Sequence, residues 1–167
     1  MTADQIVLAG GGHSHALLLK RWAMRPELRP SGLITLISRN STTLYSGMVP
    51  GLIAGKYSQK DAEIDLRRLA DISKVVFVVG EIIDIDVSNK QVVLANRPAI
   101  SFQILSLDLG AEKTGFSNNQ YLRSSDLMAI KPLEPALFWI GEQDRYALNR
   151  DTEPFTVIGA GLAGVEI

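Results

Sequence analysis

Two short apolar runs that end in glycine constrain the fold of this chain more than any other feature. The first, Gln5-Ile6-Val7-Leu8-Ala9, stops at Gly10-Gly11-Gly12, and residues 13–24 then carry the apolar stripe of a helix. A further apolar, β-branched run covers residues 33–37. Strand, glycine turn, helix and strand within about thirty residues have the size of a βαβ unit, so a parallel sheet is expected.

Further along the chain, hydrophobic patterning predicts additional strands and helices. Residues 38–57 are glycine-rich and loop-like, while residues 61–71 and 133–140 carry the apolar spacing of helices. Alternation over residues 81–87 and 91–94 predicts an antiparallel hairpin. The expected fold class is α/β with three layers, and the strands of its parallel sheet are residues 5–9, 33–37, 75–79 and 103–107.

Composition and charge exclude several classes of protein. The 17 basic and 18 acidic residues give a net charge of −1, and nucleic-acid binders usually carry a basic face that this balance lacks. The sequence contains no cysteine, which removes disulfides, thiolate metal sites and cysteine redox chemistry. No segment approaches the ~18 continuous apolar residues of a membrane span. Asp4 precedes the first apolar run, which argues against a signal peptide, so a cytoplasmic location is expected.

The first glycine turn has the composition of a dinucleotide-binding turn. Gly10 permits a tight turn, Gly12 lets the backbone approach a pyrophosphate, and the helix N-terminus directs its amides at that anion. Ser14 offers a capping hydroxyl near the helix start. His15 stands in the place of the motif's third glycine, so His15→Gly should be tolerated at a cost of roughly 0.5 kcal/mol. A glycine-rich loop without a ligand is the alternative interpretation of this segment.

The end of the second predicted strand departs from the usual dinucleotide pattern. A dinucleotide fold usually places Asp or Glu there to bind the ribose hydroxyls, whereas this chain has Ser38 followed by Arg39. Ser38 can still form a hydrogen bond with the ribose. Arg39 either reaches a phosphate of the ligand or extends into solvent.

Two histidines at the start of the predicted helix raise the question of a metal. Side chains two residues apart on a helix point in different directions, and no carboxylate or cysteine stands near His13 and His15 in the sequence. No metal site is therefore expected. Packing, or a hydrogen bond to a phosphate or flavin, accounts better for both histidines.

A second glycine turn stands near the end of the sequence. Residues 155–158 predict a strand, and Gly159-Ala160-Gly161-Leu162-Ala163-Gly164-Val165-Glu166 supplies a complete G-x-G-x-x-G motif and a helix start. Two such turns imply two dinucleotides, and a flavin reduced by a nicotinamide uses both. Because the sequence stops at Ile167, we expect residues 1–153 to be the N-terminal portion of an FAD-binding domain and residues 154–167 the truncated start of an NAD(P)-binding domain.

With both turns in view, the chain resembles the FAD/NAD(P)-dependent pyridine nucleotide-disulfide oxidoreductases, which have two dinucleotide-binding domains. The likeness rests on residues 7–15, 45–51, 80–82, 105–110 and 159–166. It is strongest to the branch with type II NADH dehydrogenases and sulfide–quinone reductases, and to the flavoprotein module fused to selenide, water dikinase in some bacteria. The implied fold is a Rossmann-like domain that binds FAD and NAD(P), here truncated.

The resemblance implies roles for individual residues. Gly10 and Gly12 would line the FAD pyrophosphate, beside His13 and Ser14. The residues implied near the adenosine ribose, along the flavin side and at the adenine edge are Ser38, Arg39, Ser46, Gly47, Met48 and the backbone of Ile82. Asp108-Leu109-Gly110 stands where the family has Ala-Thr-Gly, so the expectation for that stretch rests on Gly110. The residues implied for NAD(P)H are Gly159, Gly161, Gly164 and Glu166.

The absence of cysteine narrows the expected chemistry. The redox cysteine pair of the disulfide reductases is excluded for this chain, and the sulfide reductases are disfavoured. Hydride transfer from NAD(P)H through flavin to a quinone-like or other small acceptor needs no protein nucleophile, so no catalytic side chain is assigned. Two alternatives remain: a module attached to selenide, water dikinase, which makes selenophosphate, and a non-enzymatic nucleotide-binding domain.

Partners and cofactor retention are expectations of the same kind. A small-molecule acceptor is expected, and homodimer formation and peripheral membrane contact by residues beyond this chain stay open. We expect the chain alone to hold the ADP half of FAD better than the isoalloxazine half. It should also lack NADH oxidation activity, because little of the nicotinamide domain is present.

Overall fold

The computed structural model describes residues 5–110, 129–131, 133–147 and 156–159, together with Gly161 and Val165. The chain divides into two compact units. The first unit combines Met1–Thr43 with Glu63–Gly110, and the second combines Leu44–Ala62 with Ala111–Ile167. The first glycine turn therefore belongs to the first unit, and the second glycine turn belongs to the other.

A parallel sheet forms the centre of the first unit. The strands of the described residues are β1 (Gln5–Ala9), β2 (Leu33–Ser38), β3 (Thr42–Leu44), β4 (Glu63–Asp65), β5 (Val76–Val79), β6 (Ile82–Asp86), β7 (Gln91–Leu94), β8 (Arg97–Ser101) and β9 (Ile104–Leu107). Four of them form one sheet in the order β5-β2-β1-β9, and every neighbouring pair in it runs parallel. The predicted α/β fold class and its parallel strands are confirmed.

The helices complete the architecture. They are α1 (His13–Met24), α2 (Val49–Ile53), α3 (Gln59–Ala62), α4 (Leu66–Ile72) and α5 (Leu133–Ala147), with 3₁₀ turns at Pro26–Leu28 and Ser46–Met48. Helix α1 begins directly after the first glycine turn, as predicted, and connects β1 to its parallel neighbour β2. Among the described helices, none combines the length and the apolar character needed to cross a membrane.

Alternate residues of β1 face the two sides of the parallel sheet, as the two-residue period of a strand requires. Ile6 and Leu8 join a buried cluster that includes Leu19 of α1 and Leu66 of α4. Val7 faces the other way, into a cluster with the antiparallel strands β6, β7 and β8. Helices, parallel sheet and antiparallel sheet are the three layers that the sequence predicts.

The register of the parallel sheet aligns the carboxyl ends of its strands at one edge. Ala9 of β1 is level with Ile37 of β2 and with Leu107 of β9. The backbone amide of Gly10 donates to the Ile37 carbonyl, and that of Asp108 donates to the Ala9 carbonyl, each at 2.9 Å. Strand β1 thus lies between its immediate successor β2 and the much later β9. Open α/β sheets bind ligands beside such a switch in strand order.

The helix predicted over residues 61–71 is wrong in its first half. The structure has α3 at Gln59–Ala62, then the short strand β4, and only then α4. The Asp65 side chain caps α4, since its Oδ1 accepts a hydrogen bond from the Arg68 amide at 2.8 Å. Three residues are too few for the alternating pattern of a strand to appear in the sequence. Residues 63–65 form a strand because they pair with β3.

Two further predictions are corrected. Residues 38–57 are not a continuous loop, because they contain β3, a 3₁₀ turn and α2. The predicted hairpin gains a third strand, β8, while the parallel strand predicted at residues 103–107 is present as β9. Phe102 donates its amide to the Lys90 carbonyl, whereas Gln103 donates to the Gln5 carbonyl, so the chain changes sheets between these two residues.

The second unit is helical where it is described. Helix α5 confirms the helix predicted at residues 133–140 and extends it to Ala147. Ala136 is fully buried, while Phe138 is exposed over 72% of its surface. Helix α2 contacts both α3 and α5, so these three helices pack together.

Candidate functional site

The first glycine turn packs closely against the end of β9, which neighbours β1 in the parallel sheet. Gly10 has φ +102°, a left-handed conformation that glycine adopts without strain. A Cβ added to Gly10 would overlap the carbonyl oxygen of Asp108. The turn expected at Gly10 is therefore present, and the backbone at the end of β9 lies directly against it.

His15 fastens this turn to the sheet. The residue is 2% exposed; its Nδ1 lies 2.7 Å from the Gly10 carbonyl oxygen and its Nε2 lies 2.9 Å from Ser106 Oγ. A carbonyl can only accept, so Nδ1 carries the proton and donates to Gly10. In the neutral ring, Nε2 then accepts from the Ser106 hydroxyl. Both ring nitrogens are satisfied inside the protein.

This arrangement corrects the expectation that His15→Gly is tolerated. Helix propensity alone predicts a small cost, but the ring is buried, which the sequence does not reveal. The imidazole fills the space between the turn and β9, where the motif's third glycine would allow close packing. Glycine at this position would leave a cavity and an unpaired Ser106 hydroxyl.

Asp108 covers the N-terminus of α1. Its Oδ2 accepts a hydrogen bond from the His15 backbone amide at 2.9 Å. The helix begins after Gly12, which has no side chain to cap it. Ser14 is exposed and is the second residue of α1, whose N-cap is Gly12, so the capping role expected for Ser14 is wrong. A carboxylate 93 residues away in sequence supplies the cap instead.

Gly12 is the second position at which the absence of a side chain is required. A Cβ there would overlap the carboxylate of Asp108. The space into which a pyrophosphate is expected to approach Gly12 is therefore lined by an acidic side chain of the same chain. His13, the first residue of α1, is exposed, and it points away from the buried His15 ring as the helical spacing requires.

Ser38 and Arg39 lie at the same edge of the sheet, at the end of β2. Ser38 Oγ is 2.6 Å from the position that a Cβ on Gly11 would take, so this hydroxyl is at the glycine turn. Arg39 Nε lies 4.0 Å from Glu81 Oε1, with the two side chains 66% and 55% exposed. Such a solvated pair adds little stability. Arg39 is thus at a solvated strand end, one of its two predicted environments.

The other expected FAD-binding residues lie in different surroundings. Ile82 is half-buried in β6 and pairs with Leu94 of β7. Gly110 is exposed, and an added Cβ there would meet no atom within 4 Å. Ser46, Gly47 and Met48 form a 3₁₀ turn in the second unit. The geometry of the first unit thus brings together Gly10, Gly12 and Ser38.

The second glycine turn departs from its prediction. Residues 156–159 have no regular structure, and Val157 and Ile158 are 49% and 59% exposed. No strand within the described residues pairs with this segment, and a strand without a neighbour has no partner for its backbone groups. The Val165 amide donates to the Gly161 carbonyl at 3.2 Å, a helical hydrogen bond. Gly164 and Glu166 lie outside the described residues.

Three residues that hold the first turn have roles that the sequence pattern does not predict: Asp108, Ser106 and His15. In the sequence, Asp108 and His15 are departures from a motif, and Ser106 is part of a predicted strand. One signal was present in the sequence, because Asp108 directly follows a strand predicted to be parallel to β1. Carboxyl ends of parallel strands meet at one edge of a sheet. An acidic residue that directly follows β9 is therefore expected to lie near the glycine turn that follows β1.

Comparisons with known proteins identify relatives in sequence and in fold. No family model matches the chain. The chain is 26% identical over 164 residues to the NADH dehydrogenase-like protein YutJ of Bacillus subtilis, covering 98% of this chain and 43% of that protein. Its structure matches the sulfide:quinone oxidoreductase of Aquifex aeolicus with a TM-score of 0.68 at 22% identity, over 88% of this chain and 33% of that one. The chain has the fold of the FAD/NAD(P)-dependent pyridine nucleotide oxidoreductases.

Another structure with this oxidoreductase fold extends the likeness along almost the whole chain. The NADH:rubredoxin oxidoreductase of Clostridium acetobutylicum matches over 99% of this chain and 40% of its own length, with a TM-score of 0.62 at 19% identity. The chain thus spans less than half the length of these oxidoreductases. The suggested likeness to the module of selenide, water dikinase gains no support from these matches.

Proposed function

We propose that the protein containing this chain is an FAD-dependent NAD(P)H oxidoreductase, and that the first glycine turn binds the ADP part of FAD. The observation that carries the proposal is the position of this turn. Gly10 and Gly12 stand at the carboxyl edge of the parallel sheet, between β1 and α1 and beside β9. That edge is where α/β folds bind nucleotides. The likeness to an NADH dehydrogenase-like protein supports the same assignment.

The residues of this turn fit a dinucleotide through their backbone. Gly10 has the positive φ that a tight turn needs, and the glycine at position 12 leaves its backbone without a side chain of its own. The N-terminus of α1 would stabilise phosphate oxygens through its amides and its dipole. Ser38 would donate to a ribose hydroxyl, in place of the usual carboxylate, and Arg39 would lie near the adenosine. The backbone of Ile82 would contact the adenine edge. Gly110 would lie where the chain returns past FAD.

The remaining assignments extend the proposal to the nicotinamide. Residues 1–153 would belong to the FAD-binding domain and residues 154–167 would begin the NAD(P)-binding domain, with Gly159, Gly161, Gly164 and Glu166 at its nucleotide turn. Ser46, Gly47 and Met48 would line the flavin side. When bound, FAD would accept a hydride from NAD(P)H and pass the electrons to a quinone-like or other small acceptor. The chain's own part is to bind and orient the nucleotides.

An experiment on the purified whole protein that contains this chain tests the proposal directly. Its absorption spectrum between about 350 and 500 nm reports bound flavin, and mass spectrometry of the molecule released by denaturation distinguishes FAD from FMN, AMP and NAD. We expect FAD. Oxidation of NADH and NADPH with ferricyanide, and then with a soluble quinone, identifies the donor and the acceptor class.

Matched variants connect the result to the turn. Gly12→Val should remove the bound FAD, while Gly141→Ala, at an exposed and open position of α5, should retain it. Release of AMP or NAD without flavin would contradict the oxidoreductase proposal and favour a non-enzymatic nucleotide-binding domain. Full FAD retention by the Gly12→Val protein would show that another part of the molecule binds the cofactor.

A further inference from the structure

The carboxylate of Asp108 stands where the first turn is expected to receive a phosphate. It accepts the backbone amide of His15 at 2.9 Å, and it overlaps the space that a Cβ on Gly12 would fill. In a dinucleotide fold, the second glycine is small because the pyrophosphate approaches the backbone on that side. A carboxylate oxygen and a phosphate oxygen are both anionic acceptors for helix amides. The Asp108 carboxylate can therefore accept from the same helix amides that would donate to a phosphate of the ligand.

The charge of this carboxylate is not balanced by a cation of the described chain. Within that part of the molecule, the Asp108 side chain accepts the His15 amide, and Arg39 pairs with Glu81 and not with Asp108. The amides and dipole at the N-terminus of α1 thus face this carboxylate. The same dipole is the main attraction that the turn has for a pyrophosphate, so the two anions draw on one source of stabilisation and repel each other.

We infer that Asp108 and the pyrophosphate of a dinucleotide compete for the N-terminus of α1, so that Asp108 sets how tightly the first turn holds a nucleotide. The inference rests on the proposed function, because it takes this turn as the dinucleotide site. A nucleotide binds when the Asp108 side chain leaves the His15 amide, and it then takes over the capping of α1. The Asp108 side chain thereby lowers the affinity of the turn for ligands that carry a phosphate.

The Asp108→Asn variant separates the charge from the cap. Asparagine has nearly the same shape, and its Oδ1 can still accept from the His15 amide, so α1 keeps its cap while the negative charge is lost. We expect the affinity for ADP, measured by calorimetry, to rise about tenfold or more. The affinity for adenosine, which has no phosphate, should not change. The difference between native and variant protein for ADP should shrink at high salt.

One control variant and one measurement on the native protein accompany this experiment. Asp86→Asn makes the same change of charge in the β6–β7 hairpin, and it should leave ADP affinity as it is in the native protein. A measurement on the native protein needs no variant. Addition of ADP should shift the carboxyl ¹³C resonance of Asp108, because that group loses its hydrogen bond to His15.

The outcomes distinguish this inference from the proposed function. An ADP affinity that is unchanged or weaker in D108N, with the Asp108 resonance unmoved by ADP, overturns the inference and leaves the dinucleotide site standing. An equal gain for ADP and adenosine also overturns it, because the effect would then not involve the phosphates. If neither protein binds ADP, the dinucleotide proposal fails and the inference fails with it. If D108N does not fold, the resonance of the native protein decides.

Discussion

The Nε2 atom of His15 lies 2.9 Å from the Oγ of Ser106, a residue 91 positions further along the chain. Through its other nitrogen, the same ring holds the carbonyl of Gly10 at 2.7 Å. One buried side chain therefore connects the start of α1, the glycine turn and β9. The shape of the turn depends on this connection as well as on its glycines, which gives the first prediction.

Replacing His15 by glycine should destabilise the protein strongly. The substitution leaves a cavity, removes two hydrogen bonds and adds a poor helix former, so we expect a loss of about 2–4 kcal/mol in the free energy of unfolding. Urea unfolding followed by circular dichroism measures it. Lys20→Gly is the control: Lys20 is an exposed residue of the same helix, and the lost helix propensity there should cost at most about 1 kcal/mol. Equal losses at both positions would contradict the tethering role of His15.

Replacing Ser106 by alanine should remove the donor to His15 Nε2. A buried nitrogen without a partner costs about 1–3 kcal/mol, and the unfolding free energy should fall by that amount. In the His15→Gly background, Ser106→Ala should cost much less, since the interaction is already lost. Additive losses in the double variant would mean that the two side chains do not act together.

Replacing Gly12 by valine should displace the Asp108 carboxylate. The added side chain overlaps that group, so we expect a loss of about 1–3 kcal/mol from overpacking, in addition to the loss of FAD proposed above. Gly110→Val is the control for stability, because its Cβ meets no atom within 4 Å. A Gly12→Val protein as stable as the native one would show that Asp108 moves away without cost.

Acid should weaken the β6–β7 turn through Asp86. The backbone amide and then the side-chain amide of Asn89 donate to this carboxylate and hold its pKa below the usual value. A group whose pKa is lower in the folded state adds stability above its unfolded pKa and loses it as the pH falls through the folded value. The native protein should therefore lose more stability below about pH 4 than Asp86→Asn does. Parallel pH profiles of thermal unfolding would contradict this.

The Arg39–Glu81 pair should contribute almost nothing to stability. Both side chains are more than half exposed, so Arg39→Ala should change the unfolding free energy by less than about 0.5 kcal/mol. Glu81→Gln should behave in the same way. If Arg39 lies near the adenosine of a bound cofactor as proposed, Arg39→Ala should lower FAD content while Glu81→Gln does not. A large loss of stability in either variant would mean that the pair has a structural role.

The elements that could be predicted from the sequence are those whose pattern is local. Strand β1, helix α1 and strand β2 combine strong apolar periods with glycine at their boundary, so their bounds follow from neighbouring residues. Strand β4 could not be predicted, because three residues adopt a strand only by pairing with β3. The candidate site shows the same division, since Gly10 and Gly12 belong to a motif. The roles of Ser106 and Asp108 arise only when β9 lies beside β1.

The distance along the chain between His15 and Asp108 has a consequence for how the protein is made. The amide of His15 receives its acceptor from a residue 93 positions later, so α1 leaves the ribosome before the group that completes its first turn exists. At about 5–20 residues per second, the helix waits several seconds for it. During synthesis, the N-terminal end of α1 thus lacks this native cap until Asp108 has been made.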